Sequence, residues 1–166
     1  MRNGVTSDGK AVLDVFNRTH EETDYLLTYS DENCFTASQE ADFLQRKTDS
    51  TNTVEIIAIV DGVVAGTAGI DALGMRDKIK HRAVFGIAIT KEFWGLGIGK
   101  YLMEACIECA REAGYLQLEL EVVAENERAV EMYRRAGFIE YGRNPKAFRL
   151  RTGEYQELID MRLELK

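Results

Sequence analysis

Three glycines at alternate positions mark the stretch of this chain whose residue types and spacing point most directly to chemistry. Gly95, Gly97 and Gly99 stand between an apolar run, Ala83–Ile89, and a segment whose apolar residues recur every three or four positions. This order predicts a strand, a glycine loop and the start of a helix. Glycines let backbone N–H groups approach a ligand closely at a helix N-terminus, where they can hold a phosphate or pyrophosphate. We therefore expect a phosphorylated small molecule to bind at this turn.

The spacing of the glycines disfavours two common phosphate-binding loops. A nucleotide P-loop needs Gly, four residues and then Gly-Lys-Ser/Thr, whereas Gly99-Lys100 is followed by Tyr101, and no glycine stands five residues before Gly99. A dinucleotide fingerprint needs Gly-x-Gly-x-x-Gly near the start of a βαβ unit, whereas this chain has Gly-x-Gly-x-Gly past its middle. On the glycines alone, a tight turn without a binding role stays an alternative.

The segment that follows predicts a strand and a short helix beside the glycine loop. Apolar residues alternate with polar ones over Leu116–Val122, which is the pattern of a half-buried strand. Asn126 is a suitable N-cap for a helix over roughly 127–136, and Gly137 can end that helix. The order along the chain is therefore strand, glycine loop, helix, strand, helix and strand.

Together these segments resemble the GNAT superfamily of acyl-CoA-dependent N-acetyltransferases. The family carries Arg/Gln-x-x-Gly-x-Gly/Ala after its fourth strand, and this chain has Gly97-Ile98-Gly99 there, with Trp94 in place of the Arg or Gln. The second family signature is Asn-x-x-Ala-x-x-x-Tyr-x-x-x-Gly-Phe. Every spacing of that signature is kept by the residues Asn126, Ala129, Tyr133, Gly137 and Phe138.

The resemblance implies an α/β (mixed α+β) GNAT fold. We expect a central, mostly antiparallel and twisted sheet of about six or seven strands, splayed between strands four and five, with about four flanking helices. It also implies acetyl-CoA as the cofactor. The fourth strand would pair its backbone with the pantetheine arm, the glycine loop would surround the pyrophosphate, and the short helix would contact the pantetheine and a phosphate of the adenosine end. The residues implied in cofactor binding are Ile87, Ala88, Ile89, Trp94, Gly95, Leu96, Gly97, Ile98, Gly99, Lys100, Asn126, Ala129, Tyr133 and Arg135.

Acetyl transfer to an amine requires two proton transfers. An alkylamine with a pKa near ~10.4 is almost fully protonated at neutral pH, so a base must accept a proton. We favour Glu121, which points away from the apolar face of its strand and stands twelve residues before Tyr133, as in the family's ribosomal-protein alanine acetyltransferases. Glu119 is the alternative. A phenol can protonate the leaving sulfur, whose pKa resembles the ~8.5 of cysteine, so Tyr133 is the predicted general acid. A backbone N–H near Ile87 or Ala88 would polarise the carbonyl.

The N-terminal part of the chain carries the acceptor prediction. Residues of about 8–29 and 37–47 predict two helices, and in the family these helices and their connection shape one wall of the acceptor site. Glu22, Tyr25 and Phe35 are the predicted acceptor-binding residues. A solvated helix face explains the acids of this region equally well.

Composition limits the other classes of function. The 166 residues suit a single N-acetyltransferase domain over 1–166. A formal charge of −7 disfavours nucleic acid as a partner and fits an amine acceptor, either a small molecule or a protein N-terminus. The chain lacks an apolar run near ~18 residues and a signal peptide's apolar core, so we predict a cytoplasmic protein with no membrane partner. Three cysteines and two scattered histidines predict neither a disulfide scaffold nor a metal site.

Two alternatives to an enzyme stay open from the sequence. A non-catalytic acyl-CoA-binding or regulatory module would keep the glycine loop without turnover. A nucleotide-binding protein of another type is disfavoured by the glycine spacing. The final segment, Gly153–Leu163, resembles the last strand of the family, and by family habit we expect a homodimer.

Overall fold

The computed structural model describes residues 1–165 and contains a seven-stranded sheet with helices on both faces. The four helices are α1 (Gly9–Glu22), α2 (Ala37–Asp49), α3 (Ile98–Glu112) and α4 (Glu127–Arg135). The seven strands are β1 (Arg2–Asn3), β2 (Val54–Val60), β3 (Val63–Ala72), β4 (Arg82–Ile89), β5 (Gln117–Val123), β6 (Ile139–Arg149) and β7 (Tyr155–Glu164).

The strand order is β1-β2-β3-β4-β5-β7-β6, and every neighbouring pair is antiparallel except β4 with β5. The parallel pairing runs from Arg82 opposite Gln117 to Val84 opposite Glu119. Beyond Val84 the two strands diverge while β4 remains paired with β3 up to Ile89. The mostly antiparallel GNAT sheet, splayed between strands four and five, is thus confirmed.

Local sequence signals explain where several elements begin and turn. Asp61 and Gly62 both take positive φ values, 48° and 83°, as a two-residue turn between β2 and β3 requires. Thr36 caps α2, because its hydroxyl accepts from Gln39 N at 3.3 Å while the Gln39 side chain accepts from Thr36 N at 2.8 Å. The helix therefore starts where its capping residues place it.

The two faces of the sheet carry separate apolar clusters. Helices α3 and α4 pack on one face, where Leu102 and Cys106 of α3 and Leu118 of β5 are fully buried. On the opposite face Val12 of α1 and Leu44 of α2 meet Ile57 of β2. Cys106 is thus a buried packing residue, and burial raises the pKa of its thiol. Within residues 1–165 no helix is long and apolar enough to cross a membrane.

Two predicted patterns differ from the structure. Helix α1 ends at Glu22 because Thr23 turns extended, with φ −149° and ψ 155°, so residues 23–29 belong to the connection to α2. Leu116 precedes β5 and is 59% exposed, whereas Glu119 on the predicted polar face is only 6% exposed. The polar face of β5 is covered around Glu119 because neighbouring strands supply partners for its carboxylate.

Candidate active site

The divergence of β4 and β5 opens a cleft of about 1220 Å³ that reaches both faces of the sheet. One wall consists of the end of β4, the glycine loop and the first turns of α3 and α4. The other comes from the connection after α1 and from residues of β6 and β7. Most of the predicted site residues line it: Tyr25, Ile87, Ala88, Ile89, Trp94, Gly97, Ile98, Gly99, Lys100, Glu121, Asn126, Ala129, Tyr133 and Arg135. Among the described residues, Glu22, Phe35, Gly95 and Leu96 lie outside this lining.

The backbone of β4 presents free polar groups to the cleft. The N–H of Thr90 donates to the carbonyl of Ala65 at 3.1 Å, so this position faces β3. Because backbone groups of a strand alternate in direction, Phe85, Ile87 and Ile89 turn their N–H and C=O groups towards the gap left by β5. An extended ligand can pair with these groups as an added strand.

The structure changes the prediction that the Ala88 backbone pairs with the cofactor. Ala88 lies opposite Thr67 of β3, so its backbone belongs to that ladder and contributes no open pairing groups. The indole Nε1–H of Trp94 donates to the carbonyl of Ile89 at 2.7 Å, which leaves the Ile89 N–H for a ligand. The Ile87 N–H is therefore the better-placed donor of the two that the sequence proposed.

The glycine loop shapes the N-terminus of α3. Gly97 caps the helix with φ 79°, and Gly95 has φ 85°, a left-handed conformation that side chains with a Cβ rarely adopt. A Cβ on Gly99 would lie 3.0 Å from Sδ of Met132, so this glycine permits close approach of α3 to α4. The first N–H groups of α3 have no carbonyl partner one turn earlier, which makes them donors for an anion.

Arg128, in the first turn of α4, is a cleft residue that the motif comparison missed. Its guanidinium carbon lies 5.1 Å from the centre of the Trp94 ring, and Nζ of Lys91 lies 5.8 Å from the same ring. Arg135 pairs with Glu131 at 2.8 Å, whereas Arg128 forms no ion pair with any residue of 1–165. A cation near a helix N-terminus interacts unfavourably with the helix dipole. This unfavourable position in the sequence is the signal that could have identified Arg128 as a binding residue.

Tyr133 reaches the cleft from the buried face of α4. The side chain is 6% exposed and packs against Phe85 and Phe138, at ring-centre distances of 6.2 and 5.8 Å. Burial raises the pKa of the phenol well above its ordinary value, so the hydroxyl stays protonated at neutral pH. No group within residues 1–165 forms a hydrogen bond with this hydroxyl, which leaves its proton available to a ligand.

The two candidate carboxylates of β5 have different environments. Glu119 is buried and forms a bidentate ion pair with Arg82, including a 2.6 Å contact from Nη2 to Oε2. Gln117 Nε2 donates to the same carboxylate at 3.1 Å. Glu121 is exposed to the cleft, and no cation in the described part of the chain pairs with it. Glu121 is therefore the β5 carboxylate that is free to accept a proton.

The predicted acceptor residues have separate locations. Tyr25 lines the cleft, but Oε2 of Glu22 accepts from the Lys91 backbone N–H at 2.6 Å, and Oε1 pairs with Arg18 at 3.0 Å. Glu22 thus ties α1 to the turn after β4. Phe35 is 48% exposed beside the start of α2. The cleft residues on this side that sequence reasoning missed are Thr19, Thr23, Leu26, Leu27, Phe93, Glu125, Phe148 and Leu158.

Comparison with known proteins agrees with this geometry. The family model described as "Acetyltransferase (GNAT) family" matches residues 13–138. The L-amino acid N-acetyltransferase AaaT of Escherichia coli K12 is 32% identical over 118 residues, which cover 70% of this chain and 72% of AaaT.

Solved structures show the same architecture over nearly the full chain. A GNAT-family acetyltransferase from Streptococcus pneumoniae has a TM-score of 0.93 and 27% identity, and covers 98% of this chain and 97% of its own. The yncA protein of Salmonella typhimurium, a putative acetyltransferase solved with its cofactor acetyl-CoA, has a TM-score of 0.88. It is 17% identical and covers 99% of this chain and 92% of its own, so this second likeness concerns the fold. The chain belongs to the GNAT acetyltransferase family and is an acetyl-CoA-dependent N-acetyltransferase.

Proposed function

We propose that this enzyme acetylates a primary amine by direct attack, with Glu121 as the general base and Tyr133 as the general acid. The observation that carries the proposal is the pairing of two groups in one cleft. A buried, protonated phenol without a hydrogen-bond partner and a carboxylate without a cation both line it within residues 1–165. One group can give a proton and the other can take one.

The cleft fits acetyl-CoA, which supplies an acetyl group activated as a thioester. The free backbone groups of Ile87 and Ile89 would hold the pantetheine arm, and the Ile87 N–H would polarise the acyl carbonyl. The N–H groups of Ile98, Gly99 and Lys100 at the start of α3 would hold the diphosphate. Because the Trp94 indole N–H already donates to Ile89, Arg128 is the side chain that we expect to add positive charge at the phosphates.

Glu121 has the first proton-transfer role. An alkylamine has a pKa near ~10.4, so at neutral pH its nitrogen carries a proton and has no free electron pair. Removing that proton in water costs roughly 4 to 5 kcal/mol at about 1.4 kcal/mol per pKa unit. Glu121 can accept it directly or through one water, because its carboxylate faces the cleft without a competing cation among the described residues.

Tyr133 has the second role. As the amide bond forms and the carbon–sulfur bond breaks, the Tyr133 hydroxyl donates its proton to the departing sulfur. The amine nitrogen gives up two protons in all. The first passes through Glu121 to solvent. In the net reaction the second restores the Tyr133 hydroxyl, which has given its own proton to the sulfur. The high pKa of the buried phenol keeps the donor protonated between turnovers.

The acceptor is a primary amine of a small molecule or of a protein N-terminus. The name of AaaT makes L-amino acids one candidate class. The test measures thiol release from acetyl-CoA together with the acetylated product, by mass spectrometry, over a panel of amino acids, peptides, polyamines and arylalkylamines. We expect thiol release to match the amount of acetylated amine. Binding of acetyl-CoA without product from any amine would instead support a non-catalytic binding module.

A further inference from the structure

We propose that the acceptor is a primary amine on an apolar body with no carboxylate beside the amine, so that free amino acids are poor substrates. This inference rests on the proposed function and specifies its substrate class. It starts from the distribution of charge in the cleft. The cations in the lining are Lys100, Arg128 and Arg135, and all three belong to α3 or α4, on the wall that would hold the cofactor phosphates. The same helices contribute Glu104, Glu127 and Glu131 to the lining, and Lys100 pairs with Glu104 at 3.8 Å.

Two carboxylates of the lining, those of Glu121 in β5 and Glu125 just before α4, form no ion pair within residues 1–165. Asp160 of β7 lies directly opposite Glu121 in the strand register, which places both side chains on the same face of the sheet. A free amino acid would bring its own carboxylate towards this acidic surface. Like charges that face each other across a binding site disfavour the complex.

Two nearby arginines are already paired with carboxylates. Arg82 of β4 is held by Glu119 in a bidentate ion pair. Arg151, in the turn between β6 and β7, pairs with Asp31 at 2.9 and 2.8 Å and stacks at 4.0 Å over the ring of Tyr29. Neither guanidinium lines the cleft, so neither is placed to neutralise an acceptor carboxylate.

Apolar side chains surround the remainder of this pocket. Tyr25, Leu26 and Leu27 come from the connection after α1, and Phe148 and Leu158 come from β6 and β7. Leu27 is 80% exposed although it borders the cleft, so an apolar ligand would remove its surface from water. These residues favour an acceptor with an alkyl or aromatic body next to the amine.

The test compares phenylalanine with phenylalaninamide, which share the side chain and differ in the carboxylate. The carboxylate of phenylalanine also raises the pKa of its amine, so kcat/KM is calculated on the concentration of unprotonated amine. On that basis we expect kcat/KM to be roughly tenfold to hundredfold higher for the amide, since a like-charge contact is removed. An amine of this class can belong to a peptide N-terminus or to a small arylalkylamine, and the dipeptide amide Phe-Ala-NH₂ and phenethylamine represent these two sources. A higher rate for the dipeptide amide assigns a peptide N-terminus, and a higher rate for phenethylamine assigns a small arylalkylamine. Acetylation of free phenylalanine at an equal or higher kcat/KM would overturn the proposal.

A charge variant tests the physical cause. Glu125→Gln should reduce the preference for phenylalaninamide over phenylalanine several-fold, chiefly by improving the free amino acid. Glu112→Gln is the matched control, because this exposed glutamate at the end of α3 does not line the cleft and should leave the ratio unchanged. An unchanged ratio in Glu125→Gln would contradict the electrostatic account.

A binding measurement separates this proposal from the proposed function. Calorimetric titration of CoA-saturated protein with the same two ligands reports the preference without turnover. If no amine is acetylated, the proposed function fails, but tighter binding of the amide still supports the acceptor class. Equal binding, tighter binding of the free amino acid, or no binding of either ligand would overturn it.

Discussion

The two halves of the cleft are built from different parts of the chain. The half that we propose for the cofactor uses backbone groups of β4, positive-φ glycines and helix N-termini, all within 83–137, a single stretch of sequence. The half that we propose for the acceptor uses side chains from the connection after α1 and from β6 and β7, which lie more than a hundred residues apart. A site built from backbone geometry requires particular residues at fixed spacing, and this produces a recognisable sequence motif. A wall built from side chains of distant segments produces no such motif.

Tyr133 connects the two halves, and its loss should have the largest effect. Tyr133→Phe keeps the aromatic packing on Phe85 and Phe138 but removes the buried proton donor. We expect kcat to fall by about 10²- to 10³-fold, within the range of general-acid contributions. The affinity for acetyl-CoA, measured by calorimetry, should stay near the wild-type value. Unchanged turnover would remove Tyr133 from its proposed role.

Glu121 and Glu119 provide a matched pair on one strand. Glu121→Gln should lower kcat/KM by about 10²-fold at neutral pH, the lower end of general-base contributions. The deficit should shrink as pH approaches the amine pKa of ~10.4, because more of the acceptor then carries a free electron pair. The pH profile of kcat/KM from pH 6 to 10 provides the measurement.

Glu119→Gln serves as the control for that experiment. It disrupts the ion pair with Arg82 and should cost about 1–3 kcal/mol in free energy of unfolding, measured by urea denaturation. Its kcat/KM at a temperature where the fold is intact should remain close to wild type. The opposite outcome, lost activity in Glu119→Gln with normal activity in Glu121→Gln, would exchange the two assignments.

Two glycines with the same backbone conformation allow an effect on acetyl-CoA binding to be distinguished from the effect of backbone strain on stability. Gly97 and Gly114 have φ values of 79° and 80°, at the start of α3 and just past its end. A valine at either position should cost roughly 1–2 kcal/mol of stability, because a Cβ is strained in the left-handed region. Gly97→Val should also weaken acetyl-CoA binding by about tenfold or more through distortion of the phosphate cradle. Gly114→Val should keep the wild-type affinity, and equal losses of affinity in both variants would contradict the cradle assignment.

The smallest expected effect concerns the cation beside Trp94. Arg128→Ala should weaken acetyl-CoA binding about two- to fivefold, and the difference from wild type should diminish at high salt because the contact is exposed. Arg134→Ala is the control on the same helix, since that arginine faces Glu140 at 3.6 Å and does not line the cleft. If both substitutions weaken binding equally, the effect comes from net charge rather than from Arg128.

The sequence predicted the fold because the fold depends on local signals. For the same reason, most of the residues that the sequence proposed for the cofactor lie together in the cleft lining. Each of these local signals depends on the backbone conformation of only a few neighbouring residues. They are the spacing of the glycines, the Asn126 cap and the alternation of apolar and polar residues in the strands. The expectation that Glu119 lies on an open polar face was wrong, because Arg82 of a neighbouring strand buries its carboxylate.

Other differences also arise from tertiary contacts. The contact of Glu22 with the Lys91 backbone depends on where α1 ends, and no local pattern marks that end. Phe148 and Leu158 reach the cleft through the pairing of β6 with β7 and the register between them. The apolar character of both residues predicts burial, but it does not distinguish a pocket wall from the core.

A crystal structure of the enzyme with CoA would test the proposed cofactor site most directly. We predict the diphosphate against the N–H groups of residues 98–100, the pantetheine arm paired with the backbone of Ile87 and Ile89, and the sulfur within hydrogen-bond distance of the Tyr133 hydroxyl. A CoA molecule bound outside the gap between β4 and β5, or a sulfur beyond the reach of Tyr133, would contradict it.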